Sequence, residues 1–528
     1  MRVLFLSALM ALMGAVLAET PVSEVDVIAP IGKIRGNFME SRMGRRFFAA
    51  RGVRYAEPPV GENRFQPPIP AKSWTTVFDA TQEGPSCPQP GGALPSEDCL
   101  RLNVYSPEPD VKKPVVVFFH TGGFFAASAQ SISIGPEYLM DENIVLVTPN
   151  YRLGTLGFIS TGDSLAPGNL GLKDQVEALR WVQKNIEAFG GDSKNVTISG
   201  QSAGSWCVSL HMVSPMSKGL FHRAIAMSGA ATAHEGLPRN QTYLIERQAK
   251  LLSCPTDTTQ NMITCLKTKS VQELTDSVSN MFVILSLPEE LIRQGKFHQV
   301  PLMTGITKDE FGGIIIDPNI GNNSFLNDLN TRWEELAPII GAYQRGTPRS
   351  KEISKALRSL YFKDQSISLN TVNGIAQLGF SVHRFATLIS KFSCQPVYYY
   401  EFAYQGRYSH STWNDTGKPY TVVHLDDLLY LFYLKTNFPE FKVDDPEYQT
   451  VKRMTAMWNS FAKTGYPIPT NNKILENVTW EALTPTNNKY LKIDNTLTMN
   501  TGLNTRRMRE WENLFRLQPV TAITNVKQ

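Results

Sequence analysis

Three short apolar runs, and the spacing between them, constrain this chain most. Val115-Val116-Val117-Phe118-Phe119-His120, Ile144-Val145-Leu146-Val147-Thr148 and Asn195-Val196-Thr197-Ile198-Ser199-Gly200 each read as a buried strand. Between the second and third, residues 174–189 place Val176, Leu179, Val182, Ile186 and Phe189 at helical spacing, and Gly190-Gly191 stops the helix. Strand, helix and strand alternate through residues 115–230. That pattern predicts an α/β chain with a large, mostly parallel sheet covered by helices. Pro301-Leu302-Met303-Thr304-Gly305 and Val397-Tyr398-Tyr399-Tyr400-Glu401-Phe402 continue it. No internal repeat, low-complexity block or long linker divides the 528 residues. One domain over residues 19–528 is expected, with a helix-rich stretch at about 320–395 as a cap or lid.

Gly200-Gln201-Ser202-Ala203-Gly204 closes the third strand and opens a helical pattern. A serine on such a strand-to-helix turn is held out as a nucleophile, and glycines on either side let neighbouring elements pack against it. The helix start also favours developing negative charge. A serine nucleophile needs donors for the oxyanion. Gly122 and Gly123, in His120-Thr121-Gly122-Gly123-Phe124 after the first strand, offer backbone N–H groups unobstructed by Cβ, and Ala203 N–H is the third candidate.

A base and an acid should follow in the order serine, acid, histidine. Of eight histidines, His424 stands out, within Val422-Val423-His424-Leu425-Asp426-Asp427-Leu428; the other seven read as surface or packing residues. The acid should follow a strand, as Gly305-Ile306-Thr307-Lys308-Asp309-Glu310 does. Spacing alone leaves Asp309 and Glu310 equal.

The ends of the chain speak to its route. Met1-Arg2, an apolar run from Val3 to Leu17 and the small residues around Ala18 read as a signal peptide over 1–18. No later apolar stretch is long enough to span a membrane, so a secreted, extracellular protein is expected. Lys and Arg total 52 against 48 Asp and Glu, a net charge of +4. That balance gives no reason to expect nucleic acid or an anionic membrane as partner. Six cysteines are few for a disulfide scaffold, but Cys87 and Cys99, and Cys254 and Cys265, each bracket a short loop that a bridge could close. Cys207 and Cys394 remain as expected buried thiols. Sequons begin at Asn195, Asn240, Asn322, Asn414 and Asn477. Asn195 runs straight into an apolar strand and is the poorest glycan candidate.

Taken together, these residues resemble the type-B carboxylesterase/cholinesterase family of α/β-hydrolases, most closely insect secreted carboxylesterases including juvenile hormone esterases. The resemblance runs from about residue 27 to 515. It includes Arg51-Gly52-Val53-Arg54-Tyr55-Ala56-Glu57-Pro58-Pro59, Glu97-Asp98-Cys99-Leu100 with Leu102-Asn103-Val104-Tyr105, Asn150-Tyr151-Arg152-Leu153-Gly154, Leu172-Lys173-Asp174-Gln175 and Phe189-Gly190-Gly191-Asp192, in family order. It implies the α/β-hydrolase fold, with helices on both faces of the sheet. It implies Ser202 as nucleophile, His424 as base, Glu310 as acid, and Gly122, Gly123 and Ala203 as oxyanion donors. It also implies the bridges Cys87–Cys99 and Cys254–Cys265. The expected activity is hydrolysis of small carboxylic esters through an acyl-enzyme, with no metal and no cofactor. Gln201 before the nucleophile, where many relatives carry Glu, is a feature of the insect members.

Several positions depart from the family pattern. Thr121 replaces the first glycine of the usual triple-glycine loop, and Thr421 the glycine three residues before the base. Trp206 and Cys207 stand where small residues are usual, and Trp206 is expected to pack beneath the site. The Cys87–Cys99 loop contains no Trp, which argues against choline specificity. A non-catalytic adhesion or binding member of the fold is the alternative. The two threonines favour it, and the intact set Ser202, Glu310 and His424 opposes it. A lipase working at lipid interfaces is a third reading, but nothing in the sequence singles out an interfacial lid.

Overall fold

The computed structural model describes residues 24–91, 96–107, 112–232, 242–277, 289–310, 323–341, 343, 345–368, 371, 378–413 and 416–515. The expected signal segment 1–18 and the sequon residues Asn240, Asn322 and Asn414 lie outside them.

Among the described residues, thirteen strands build one sheet: β1 (Val25–Ala29), β2 (Gly32–Glu40), β3 (Arg46–Arg54), β4 (Phe78–Asp79), β5 (Arg101–Ser106), β6 (Lys113–Phe119), β7 (Val145–Pro149), β8 (Gly191–Gln201), β9 (Arg223–Met227), β10 (Leu302–Thr307), β11 (Val397–Phe402), β12 (Lys489–Ile493) and β13 (Leu497–Thr501). Their spatial order is 1-2-3-5-7-6-8-9-10-11-12-13, with β4 beside β2. The run from β7 through β12 is parallel, and antiparallel strands flank it on both sides. Parallel neighbours need crossover connections, and these place helices over the faces.

β6 shows why its sequence reads as one apolar block. All seven residues are buried. Val115, Val117 and Phe119 join one core cluster while Val116 and Phe118 join another on the opposite face. Strand alternation thus feeds two cores. The first core takes Leu179 and Val182 of α1 (Leu170–Asn185), Cys207 and Val208 of α2 (Ala203–Val213), and Phe385 and Ile389 of the helix Leu378–Phe392. The second takes Met454, Trp458 and Phe461 of the helix Tyr448–Thr464.

Residues of the blocks that carry the family resemblance form ion pairs. Arg152 donates to the Asp174 carboxylate at 2.8 and 2.6 Å, both side chains buried, and Arg64 pairs with Glu97. α1 begins four residues before the expected start and ends at Asn185, where a 3-10 turn (Ile186–Phe189) replaces its last expected turn. Gly190 at φ +77° then reverses the chain.

Residues 320–395 contribute α3 (Asn323–Thr331), α4 (Trp333–Ile340), α5 (Pro348–Phe362) and α6 (Leu378–Phe392). With Met508 and Trp511 of α8 (Thr505–Leu514; α7 is Tyr448–Thr464), Leu329, Trp333, Leu357 and Phe380 form a separate apolar cluster. Cys87 is bridged to Cys99 and Cys254 to Cys265. Cys207 is buried as expected, and burial pushes its thiol up to about 12, so it stays protonated. Cys394, expected to be buried, is exposed: it sits in the turn between α6 and β11 rather than on either. Asn195 lies inside β8, and its side-chain oxygen accepts from Arg223. Among the described residues, no helix is long and apolar enough to cross a membrane.

Candidate active site

β8 ends at Gln201 and α2 begins at Ala203, leaving Ser202 alone on the turn at φ 56°, ψ −119°. Few non-glycine residues adopt that backbone, so the surrounding structure must impose it. Ser202 N–H donates to Met227 O at 2.9 Å, and Ser202 O accepts from Trp206 N–H at 2.9 Å. The flanking glycines are required by close approach. A Cβ on Gly204 would lie 2.0 Å from Phe119 O, and one on Gly200 would lie 2.4 Å from the Gly204 carbonyl. Trp206 packs as expected, half-buried, edge-on to Phe124 with ring centroids 6.3 Å apart.

The loop after β6 starts against this turn: a Cβ on Gly204 would lie 2.0 Å from Phe119 O and 3.0 Å from His120 O. Gly122 and Gly123 adopt φ +108° and +63°, and Gly122 O accepts from Phe125 and Ala126 N–H at 3.0 and 2.9 Å. Among the described residues, the N–H groups of Gly122 and Gly123 donate to no protein acceptor. Thr121 is absent from the positive-φ set, so its β-branched side chain fits where a third glycine is usual. His120 anchors the loop. Its ring stacks on Tyr151 at 4.3 Å, and its Nδ1 donates to Thr121 O at 2.8 Å. Burial lowers it to about 4, so the ring is neutral.

The carboxyl end of β10 and the loop before His424 pair through their backbones. Asp309 N–H donates to Val422 O at 2.9 Å, and His424 N–H donates to Glu310 O at 3.0 Å. This pairing separates the two acids that spacing left equal. Asp309 Oδ2 accepts from Thr421 Oγ at 2.5 Å, while Glu310 Oε2 lies 2.7 Å from His424 Nδ1. Thr421, a departure in the sequence, therefore ties the loop that carries Asp309 and Glu310 to the loop that carries His424. Glu310 Oε1 accepts from Ser228 Oγ and Thr307 N–H, both at 2.6 Å. Glu310 and His424 are buried. Ser228 follows Met227, the residue that receives the Ser202 N–H, so a continuous chain of contacts runs from Ser202 through Met227, Ser228 and Glu310 to His424.

Ser228 and the two aspartates after His424 were missed in the sequence. The available signal was Asp426-Asp427 inside an otherwise apolar run. Asp426 accepts from Val423 N–H, His410 N–H and Ser409 Oγ at 2.9, 2.9 and 2.7 Å and so shapes the histidine loop. Asp427 is fully buried, with Tyr400 OH 3.4 Å away. Burial first, and the Glu310 charge second, raise it to about 7. The native protein therefore holds a proton that the unfolded chain releases between about 4 and 7. The resulting penalty is fully present above pH 7, disappears as the pH falls towards 4, and is on the order of 4 kcal/mol at most. Asp427→Asn is expected to melt higher than the parent at pH 8, with the gain shrinking by pH 5; equal shifts in Tm at both pH values would contradict this.

The carboxylesterase family model matches residues 22–511. The chain is 34% identical over 488 residues to esterase FE4 of Myzus persicae, covering 84% of this chain and 85% of that protein. It is 35% identical over 522 residues to juvenile hormone esterase of Tribolium castaneum, covering 89% and 87%. The crystal structure of juvenile hormone esterase from Manduca sexta, with OTFP covalently attached, superposes with a TM-score of 0.83 at 26% identity, covering 94% of this chain and 100% of that one.

Proposed function

Because the chain belongs to the carboxylesterase family and is a carboxylic ester hydrolase, we propose that Ser202, His424 and Glu310 are its catalytic triad and that Gly122, Gly123 and Ala203 form its oxyanion hole. The observation that carries this reading is the 2.7 Å contact between Glu310 and His424 at the same end of the sheet as the Ser202 turn.

Glu310 holds the imidazole proton on Nδ1 and leaves Nε2 to accept one from Ser202. Ser202 Oγ attacks the ester carbonyl carbon, and the negative charge on its oxygen is met by the three backbone N–H groups. The C–O bond to the alcohol breaks, and the alcohol leaves with the proton held by His424. Water, deprotonated by the same nitrogen, then attacks the acyl-enzyme. The acid departs and Ser202 recovers its proton. Glu310 orients the ring and stabilises the imidazolium.

Export is part of this reading. It is supported by the 1–18 segment and by two disulfides, which persist in oxidising compartments. Asn477, exposed in a turn, is the best-placed glycan acceptor among the described sequons.

The test is turnover of p-nitrophenyl acetate followed by titration with an organophosphate. One equivalent per chain is expected to abolish activity, with the added mass on the Ser202 peptide. Activity that survives stoichiometric labelling, or label on another residue, would overturn the assignment.

A further inference from the structure

α2 leaves one stripe open. Its residues are buried except Trp206, Leu210 and Val213, and Ser202, just ahead of it, is half-buried as they are. Residues three and four apart are neighbours on a helix surface, so these four form one row along α2. The row begins at the nucleophile, and its next member carries the largest side chain of the helix.

Helical side chains lean towards the helix N-terminus, so a residue covers the turn before its own. Trp206 accordingly reaches back over the Ser202 turn. A Cβ built on Gly229 would lie 2.5 Å from Ser202 O and 2.7 and 3.1 Å from Cδ1 and Nε1 of Trp206. The pyrrole edge of the indole thus sits beside the Ser202 carbonyl. The same ring system meets Phe124 edge-on. Phe124 directly follows Gly123, packs against Phe158 with ring centroids 5.1 Å apart, and accepts the Gly154 N–H at 2.7 Å. The indole is braced between the serine turn and the glycine loop, and it remains partly open.

In the proposed mechanism the acyl carbonyl is held by Ser202 and by amides of the glycine loop, whereas the alcohol leaves past His424, which hands it a proton. Trp206 packs on both pieces that hold the acyl group. His424 is carried instead by the loop paired with the end of β10.

We propose that Trp206 is a specificity-determining residue: its indole closes the acyl side of the crevice and selects esters of short acids. The proposal rests on Ser202 being the nucleophile. A long acyl chain meets the ring before it can reach the apolar Leu210 and Val213 farther along the row. A methylene that fits or fails to fit an apolar pocket changes kcat/KM by about 10–200-fold, so the indole is large enough to decide between acids of different length.

The test measures kcat/KM for p-nitrophenyl acetate, butyrate and hexanoate, which vary the acid, and for phenyl and 1-naphthyl acetate, which vary the alcohol. On a separate aliquot, active sites are counted with an organophosphate and the label is mapped. Label on a residue other than Ser202 marks a failure of the triad assignment, distinct from a failure at Trp206. The parent chain is expected to prefer acetate to hexanoate by about tenfold or more. Trp206→Ala should raise the hexanoate-to-acetate ratio by about tenfold or more, while moving the naphthyl-to-phenyl ratio by about threefold or less. Trp206→Phe, which keeps an aromatic wall, should fall between the parent and Trp206→Ala. Ratios taken on one preparation cancel the folded fraction, and Trp206→Phe decides where Trp206→Ala does not fold. A parent chain without preference for acetate, acyl ratios unmoved in the variants, or a larger shift in the alcohol series with Ser202 labelled would overturn the proposal.

Discussion

Ser202→Ala is expected to lower kcat for p-nitrophenyl acetate by about 10⁶, with KM changed only a few-fold. The size follows from the covalent step: without Oγ there is no acyl-enzyme, and water must attack the ester directly. The residual rate comes from the oxyanion donors and from substrate binding, both of which survive. Alanine carries a Cβ, as serine does, so the turn at φ 56° is no more strained than before, and the Ser202 N–H bond to Met227 O is kept. The melting temperature should therefore stay close to the parent value, which separates loss of chemistry from loss of fold. Retention of more than one per cent of the activity, after correction for contaminating esterase by organophosphate titration, would remove Ser202 from its role.

Glu310→Gln should cost about 10⁴ in kcat, by the reasoning that applies to the acid of other serine triads. The local bonds dictate how the amide must sit. Oε1 receives the Thr307 N–H at 2.6 Å, and that donor cannot turn away, so the amide oxygen stays there. The amide NH2 is then left facing His424 Nδ1, 2.7 Å from the carboxylate oxygen it replaces. It can only donate, which forces the imidazole proton onto Nε2 and removes the acceptor that Ser202 needs. Binding of substrate should be little affected, so kcat falls while KM holds. Asp309→Asn is the control. It touches Thr421 and not His424, and a loss of tenfold or less is expected. If the two variants lose activity equally, the division of labour between the adjacent acids is wrong.

Much of this architecture was legible in the chain. The strands at 115–120, 144–148, 195–200 and 397–402 announced themselves because central parallel strands are buried on both faces and leave no polar alternation. The serine turn was legible because a Cβ at position 200 or 204 would lie 2.4 or 2.0 Å from backbone atoms, so only glycine fits there. The helix over 174–189 was misplaced at both ends, since hydrophobic spacing reports the buried face and not the caps. Cys394 was misread because a thiol's burial depends on what lies above it, which local sequence does not encode.

Sequence by itself determined the fold class and the strand-to-helix turn that carries Ser202, because both are local matters of strand, turn and missing Cβ. Tertiary structure alone set Glu310 rather than Asp309 against His424, gave the Ser228 hydroxyl to Glu310, and joined Thr421 to Asp309. Those outcomes depend on the pairing of two loops more than a hundred residues apart, and on which side of that pairing each side chain emerges. No spacing rule within either loop contains that information.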